Sequence, residues 1–295
     1  MLPITKFLPQ VSDTLALNNN LVLQAEPGAG KSTALPLSLL DAEWLGEKKI
    51  VMLEPRRVAA KSIAYYLAKQ LGEKVGQRVG YQVKNDRKIS DNTILEIVTE
   101  GILTRRLQND PELTKVGLII LDEFHERSLH TDLALMLALE VQQTIREDLK
   151  LLIMSATIDT AEISAYLDNA PVIKCPGRAF PVSVDYIHSN NSYLSSQVIQ
   201  ALKPVLRDEL KGDTLVFLPG QAEIRRCLSE AENIFSDDNS LLFLPLYGAL
   251  SIDQQEKALL KDPSGKRRII FATNIAETSL TIAGITCVID SGLEK

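Results

Sequence analysis

The feature that most constrains this chain is a rhythm in which short, unbroken apolar runs alternate with longer stretches whose apolar residues fall three and four apart. In the first half the runs are residues 21–23, 50–53, 93–98, 116–121 and 151–154. Continuous rather than alternating apolarity is what a strand buried on both faces requires. The intervening stretches 58–71 and 131–146 carry helical spacing. Repeated strand–helix units of this kind predict an α/β fold with an open, doubly wound parallel sheet. Turn formers and prolines in Cys175-Pro176-Gly177-Arg178-Ala179-Phe180-Pro181 break the rhythm and predict a linker, dividing the chain into domains at 1–178 and 179–295. A second α/β pattern follows, with strands expected at 182–187, 213–217, 240–245, 268–272 and 285–289 and helices at 193–210, 221–235 and 252–260.

Composition narrows the reading. A chain of 295 residues, 45% of them hydrophobic, is long enough to bury two cores. No run of eighteen apolar residues occurs, and the opening MLPITKFLPQVSDTLAL lacks a long apolar core, so neither a membrane span nor a signal segment is expected. Cys175, Cys227 and Cys287 lie far apart with no CxxC pair or nearby His, which predicts free thiols in a reducing cytoplasm and no metal cluster. A net charge of -6 means that any contact with nucleic acid must be local.

Chemistry first becomes legible after the run at 21–23. The segment Ala25-Glu26-Pro27-Gly28-Ala29-Gly30-Lys31-Ser32-Thr33 has the strand, Gly-rich loop and helix order of a phosphate-binding loop, with a helix expected near Ala34. Gly28 and Gly30 let backbone amides turn toward phosphate oxygens, Lys31 supplies a point charge, the helix start adds its dipole, and the Ser32 hydroxyl suits magnesium. Ala25 stands where the general motif has its first glycine and is tolerable if it keeps a negative φ. A purely structural Gly turn is the alternative for this segment.

About ninety residues on, the run at 116–121 delivers Asp122 and Glu123 at its carboxyl end, where a doubly wound sheet puts its site. Asp122 would hold magnesium directly or through water, and Glu123 would orient and deprotonate an attacking water. Lys31, Asp122 and Glu123 are thus the candidate catalytic residues, and Ser32, Asp122 and Glu123 the candidate metal set. A solvated charged turn is the competing reading for the two acids alone.

These residues carry a resemblance. Asp122-Glu123-Phe124-His125 resembles the DEAH box of superfamily 2 helicases with Phe in third place, and Asp-Glu-Phe-His-Glu-Arg is similar to the form in a bacterial branch of the DEAH/RHA family. Glu54-Pro55-Arg56-Arg57-Val58-Ala59-Ala60 resembles motif Ia, Thr99-Glu100-Gly101 motif Ib, Ser155-Ala156-Thr157 motif III, residues 215–220 motif IV, and Ala272-Thr273-Asn274-Ile275-Ala276-Glu277-Thr278-Ser279-Leu280-Thr281 motif V. The resemblance implies two tandem RecA-like P-loop NTPase lobes with parallel sheets, the second incomplete. It also implies ATP, or several nucleoside triphosphates, with Mg2+, and single-stranded RNA as partner. It assigns Arg57, Thr99 and Thr278 to the RNA backbone, with Lys84 a further candidate, and gives His125, Ser155 and Thr157 a coupling role. For His125 a hydrogen-bonded structural histidine, and for Arg56 and Arg57 an exposed basic pair, stay open as alternatives.

Two departures from the family pattern matter. Where relatives grip the base with Arg and Phe, this chain has Tyr66 and Leu259, which predicts weak discrimination among bases. After motif V the sequence ends at Lys295 without the motif VI segment QRxGRxGR. The expectation is therefore a fragment of a longer RNA helicase motor with impaired hydrolysis and a marginally stable second lobe. The competing expectation is a nucleotide-responsive RNA- or protein-binding module without significant turnover. An unrelated P-loop ATPase is disfavoured by the tandem pattern and motif V. Partner proteins are not legible.

Overall fold

A computed structural model describes residues 2–110, 112–157, 159–177, 181–187, 193–207, 212–276 and 282–293. The chain divides into two compact units, Met1–Phe180 and Pro181–Lys295.

The first unit runs α1 (Leu8–Leu17), β1 (Asn20–Ala25), α2 (Leu35–Ser38), β2 (Lys49–Glu54), α3 (Arg57–Gln70), β3 (Val79–Val83), β4 (Asp86–Lys88), β5 (Leu95–Thr99), α4 (Glu100–Asn109), β6 (Val116–Leu121), α5 (Leu129–Thr144), β7 (Lys150–Ser155), α6 (Thr160–Tyr166) and β8 (Val172–Cys175). Its strands form one sheet in the order β4-β3-β5-β2-β6-β7-β1-β8. Every residue of β6 and β7 is buried, so the apolar runs at 116–121 and 151–154 become strands covered on both faces. One cover is built from α4 and α5, whose Leu103, Leu107, Ala134, Leu135 and Ala138 pack with Val51, Leu53, Ile119 and Leu121 of the strands. Parallel pairing sends the carboxyl ends of β1, β2, β5, β6 and β7 to the same edge, and that edge carries the site.

The second unit contains α7 (Leu194–Arg207), β9 (Asp213–Phe217), α8 (Gln221–Ile234), β10 (Leu241–Leu246), α9 (Ile252–Leu259), β11 (Arg267–Ala272) and β12 (Ile285–Asp290). Its parallel sheet has the order β10-β11-β9-β12. Neighbouring residues serve opposite faces, as the two-residue strand period demands. Val216, Ile269 and Phe271 pack with α7 and α8, while Leu215, Ile270 and Ala272 pack with Ala258 of α9. At one end Arg268, fully buried, donates from its backbone N–H to Asp213 Oδ1 at 2.7 Å and from Nε and Nη2 to Oδ2 at 3.0 and 2.7 Å. The same guanidinium donates to the carbonyls of Ala258, Leu260 and Ala283. One side chain therefore ties β9 and β11 to the end of α9 and to the approach to β12.

Three expectations need correction. Residues 182–187 were expected to form a strand, yet they lie outside any strand and are exposed, Val182 at 81% and Tyr186 at 86%. Alternation identifies residues that would share a face, but it supplies no partner strand, and none of the described strands pairs with this segment. The sheet of the first unit is not wholly parallel, because β3 and β4 form an antiparallel hairpin through Asn85 at φ +64°. Finally, the helix after the phosphate loop is only the four-residue α2, so a helix dipole adds little at Lys31. Of the expected helix 193–210, residues 208–210 lie outside the described residues, as do Arg178, Ala179 and Phe180 of the linker and Thr278.

Candidate nucleotide and nucleic-acid site

Ala25 is the last, fully buried residue of β1, paired with Cys175 of β8. It is not among the residues with positive φ, so no glycine is required there. The chain then turns through Glu26 and Pro27 to Gly28 at φ +75° and Gly30 at φ +93°. Ala29, Thr33 and Ala34 donate within the loop to Glu26 and Gly30 carbonyls. Among the described residues, the amides of Gly28, Gly30, Lys31 and Ser32 and the Ser32 hydroxyl take no such acceptor, which leaves them for an anion and a cation. Beneath the loop, Ile4 donates its N–H to Ala29 O at 3.0 Å, and a Cβ on Gly30 would stand 2.8 Å from Leu2 Cδ1 and 3.1 Å from Ile4 Cγ2.

That contact gives a paired prediction. A Cβ on Gly28 would meet nothing within 4 Å. Gly28→Ala is expected to cost the backbone strain alone, ~1–2 kcal/mol, and Gly30→Ala to cost more because Leu2 and Ile4 must also give way. Urea denaturation of both variants checks the difference; equal losses would mean the amino-terminal turn does not support the loop.

Across 92 residues of sequence, the Lys31 Nζ reaches Glu123 Oε1 at 2.8 Å, both side chains being buried. Glu123 follows β6 in a left-handed conformation, φ +50° and ψ +37°, which for a non-glycine costs ~1–3 kcal/mol. Its N–H donates to Asp122 Oδ1 at 2.8 Å. Burial alone would push the Lys31 ammonium down, but Asp122 and Glu123 outweigh it and hold it above its ordinary value. Burial and the neighbouring Asp122 push the Glu123 carboxyl up, with Lys31 opposing.

His125 joins this centre to the end of β7. Its Nδ1 accepts from the Ala156 N–H at 3.4 Å, and its Nε2 lies 3.4 Å from Glu123 Oε2. Burial, and then the positive Lys31, lower its pKa, which favours the neutral ring with the proton on Nε2 facing Glu123. Ser155 is fully buried with no partner for its hydroxyl, whereas Thr157 is exposed. Of the expected coupling residues, His125 adjoins Glu123, while Ser155 ends β7 beside Gln24 of β1.

Thr99 and Lys84 line a separate feature, to which Arg57 is tied through Lys84. An open groove of about 620 Å3 is lined by Lys84, Asp86, Arg87, Thr99, Ile102 and Arg105 among others. Arg57 Nη2 donates to Lys84 O at 3.1 Å and anchors the β3–β4 turn at its rim. Asp86 does not cancel the local cations, because Lys61 holds it at 2.5 Å and the Tyr81 hydroxyl donates to it at 3.0 Å. Arg87 and Arg105 were missed from sequence. Arg105 follows Ile102 by one helical turn of α4 and was findable by spacing; Arg87 depends on a hairpin that periodicity did not reveal.

Glu54, at the end of β2, was also passed over. It is completely buried, and no N–H or hydroxyl reaches either of its carboxyl oxygens or the buried Asp122 Oδ2; the two carboxyls meet each other. Hard oxygen donors on Ser32 and Asp122 suit magnesium, and the buried Asp122 Oδ2 leaves a lone pair for it.

Comparison with known proteins follows this geometry. Residues 7–165 match the DEAD/DEAH box helicase family. The chain belongs to that family. Residues 196–295 match the helicase conserved C-terminal domain. The chain is 48% identical over 295 residues to the ATP-dependent RNA helicase HrpB of Escherichia coli K12, covering 100% of this chain and 36% of that protein. It is 37% identical over 297 aligned residues to the ATP-dependent RNA helicase HrpA of Borreliella burgdorferi, covering 100% and 36%. A crystal structure of the E. coli DEAH/RHA helicase HrpB superposes with a TM-score of 0.91 at 48% identity, over 100% of this chain and 37% of that one. A second, of the E. coli DExH-box NTPase HrpB, gives 0.78 at 49% identity, over 98% and 35%. The chain therefore spans about a third of the length of these curated relatives. The two α/β units are RecA-like helicase domains. Among the described residues no helix is long and apolar enough to cross a membrane.

Proposed function

We propose that this helicase-family chain is the nucleotide-driven motor region of an RNA helicase, with an ATP-binding domain at 1–178 and a helicase C-terminal domain at 179–295. It would bind and hydrolyse ATP, or other nucleoside triphosphates, with Mg2+, and couple this to movement on single-stranded RNA. The observation that carries the reading is the approach of Lys31 to Glu123, 2.8 Å apart at the carboxyl edge of one sheet. Lys31 exchanges Glu123 for phosphate, and residues 25–33 enclose the phosphates through their free amides. Ser32 and Asp122, with Glu123 adjoining, would hold the cation, which would neutralise phosphate charge. Glu123, released from Lys31 and still faced by the neutral His125, orients and deprotonates water. Arg57, Thr99 and Lys84, with Thr278 outside the described residues, contact RNA backbone, so little sequence preference is expected. The 48% identity to an ATP-dependent RNA helicase supports RNA as the polymer.

The test is Mg2+-dependent ATP hydrolysis with and without single-stranded RNA. RNA-stimulated turnover is expected; nucleotide binding with no turnover in either condition would sink the hydrolytic reading for this chain. Base discrimination supplies a further prediction. Tyr66 is 46% exposed on α3, and Leu259 is partly packed into the apolar cluster of the second unit. Tyr66 can stack on any purine and Leu259 offers only an apolar edge, so neither favours one base strongly. ATP and GTP dissociation constants are expected to agree within about tenfold, ~1.4 kcal/mol, by competition with a fluorescent nucleotide; a hundredfold preference for ATP would refute it.

A further inference from the structure

Among the described residues of the nucleotide edge, Glu54 is a buried charged side chain that the foregoing roles leave unexplained. It ends β2, a strand otherwise buried and apolar from Ile50 to Leu53, and its own residue is 0% exposed. Neighbouring β6 is held against that strand end, since the Asp122 N–H donates to Leu53 O at 3.1 Å. Burial pushes the Glu54 carboxyl up, as do the charge of Asp122 and the side-chain hydrogen bond between the two, with Glu123 adding and Lys31 opposing. A structural carboxylate at such a depth would be satisfied by N–H donors, and an apolar residue would avoid the cost of burying it. Here no N–H or hydroxyl reaches either Glu54 oxygen or Asp122 Oδ2, so the two carboxyls have only each other, while the Lys31 ammonium bonds to Glu123 instead. A buried carboxyl pair with no other donor persists where a ligand completes it, and a carboxyl bonded to a metal-holding carboxylate positions it.

We propose that Glu54 is a positioning residue of the cation site, its carboxyl accepting hydrogen bonds from water in the shell of the divalent cation held by Ser32 and Asp122. The inference rests on the motor reading above, and it adds an outer carboxylate to the inner donors. Outer partners of this type set metal affinity by about 10- to 100-fold.

The experiment is a Mn2+ titration of the full chain in the presence of ADP, followed by electron paramagnetic resonance, for wild type and Glu54→Gln. Nucleotide binding in EDTA and thermal melting are measured alongside. The expected result is Mn2+ affinity about 10- to 100-fold weaker in the variant, with metal-free ADP binding unchanged and a melting midpoint equal or higher, because a buried like charge has been removed. Equal Mn2+ affinity would overturn the inference alone. A lower midpoint together with weaker metal-free ADP binding would also overturn it, by making Glu54 a structural residue. Wild type that retains no Mn2+ with ADP would overturn the motor reading and this inference with it.

Discussion

Glu123→Gln is expected to lower ATP turnover by about 10²- to 10⁴-fold while leaving nucleotide bound. The amide keeps the size of the side chain and an oxygen for Lys31, now 2.8 Å from Oε1, but it takes no proton from water. The variant removes the anionic partner of the buried Lys31, so some loss of stability is expected, limited because Asp122 still faces Lys31 and because burial and Asp122 disfavour the ionised Glu123. The same electrostatics set the pH dependence. A base must be ionised, and this one is held above the ordinary carboxylate range, so kcat/KM is expected to fall as pH drops through that raised value. Steady-state rates across pH for wild type, beside single-turnover rates and nucleotide affinity for the variant, check both points. A variant within tenfold of wild type would remove Glu123 from the role of base.

The second large effect is on stability. Arg268→Met would leave Asp213 buried without its cation and three carbonyls without a donor. Breaking a buried pair by removing one partner costs ~3–5 kcal/mol, a large share of what a domain of this size has to lose. Urea unfolding followed by a probe in the second unit should show the midpoint falling, while the first unit keeps its own. Adding Asp213→Asn to Arg268→Met should recover part of the loss, because the orphaned charge is then gone. A change below 1 kcal/mol in the single variant would show that the guanidinium is not what ties β9 and β11 to the end of α9.

Much of this was legible in the chain, for identifiable reasons. The strand at 116–121 and the acids after it were readable because continuous apolarity and a charged terminus are both local signals. The same holds for Gly28 and Gly30, whose positive φ the loop does use. The bond from Arg57 to the Lys84 carbonyl, and the place of Thr99 and Lys84 on one groove, could not be read from spacing, since 27 residues separate Arg57 from the carbonyl it holds. The β3–β4 hairpin was missed because Gly80, Gln82 and a charged turn dilute its pattern, and its order depends on Lys61 and Tyr81 gripping Asp86. Residues 182–187 erred the other way, having the alternation of a strand with no neighbour to pair with. Glu54 was quoted within a motif and given no role, because a paired and an orphaned buried carboxylate are the same letter.

The place of β1 in its sheet has a consequence in time. The strand that ends in the phosphate loop lies between β7 and β8, pairing Leu21 with Leu152 and Val22 with Val172. On a ribosome the loop is made well before its sheet partners, because its supporting strand has no neighbour until residues 150–175 have emerged. At ~5–20 residues per second that gap lasts roughly 6–30 s. The capacity to hold a nucleotide thus arrives only as the first unit is finished, and a nascent chain stopped short of β7 carries the whole phosphate-loop motif with nothing to brace it.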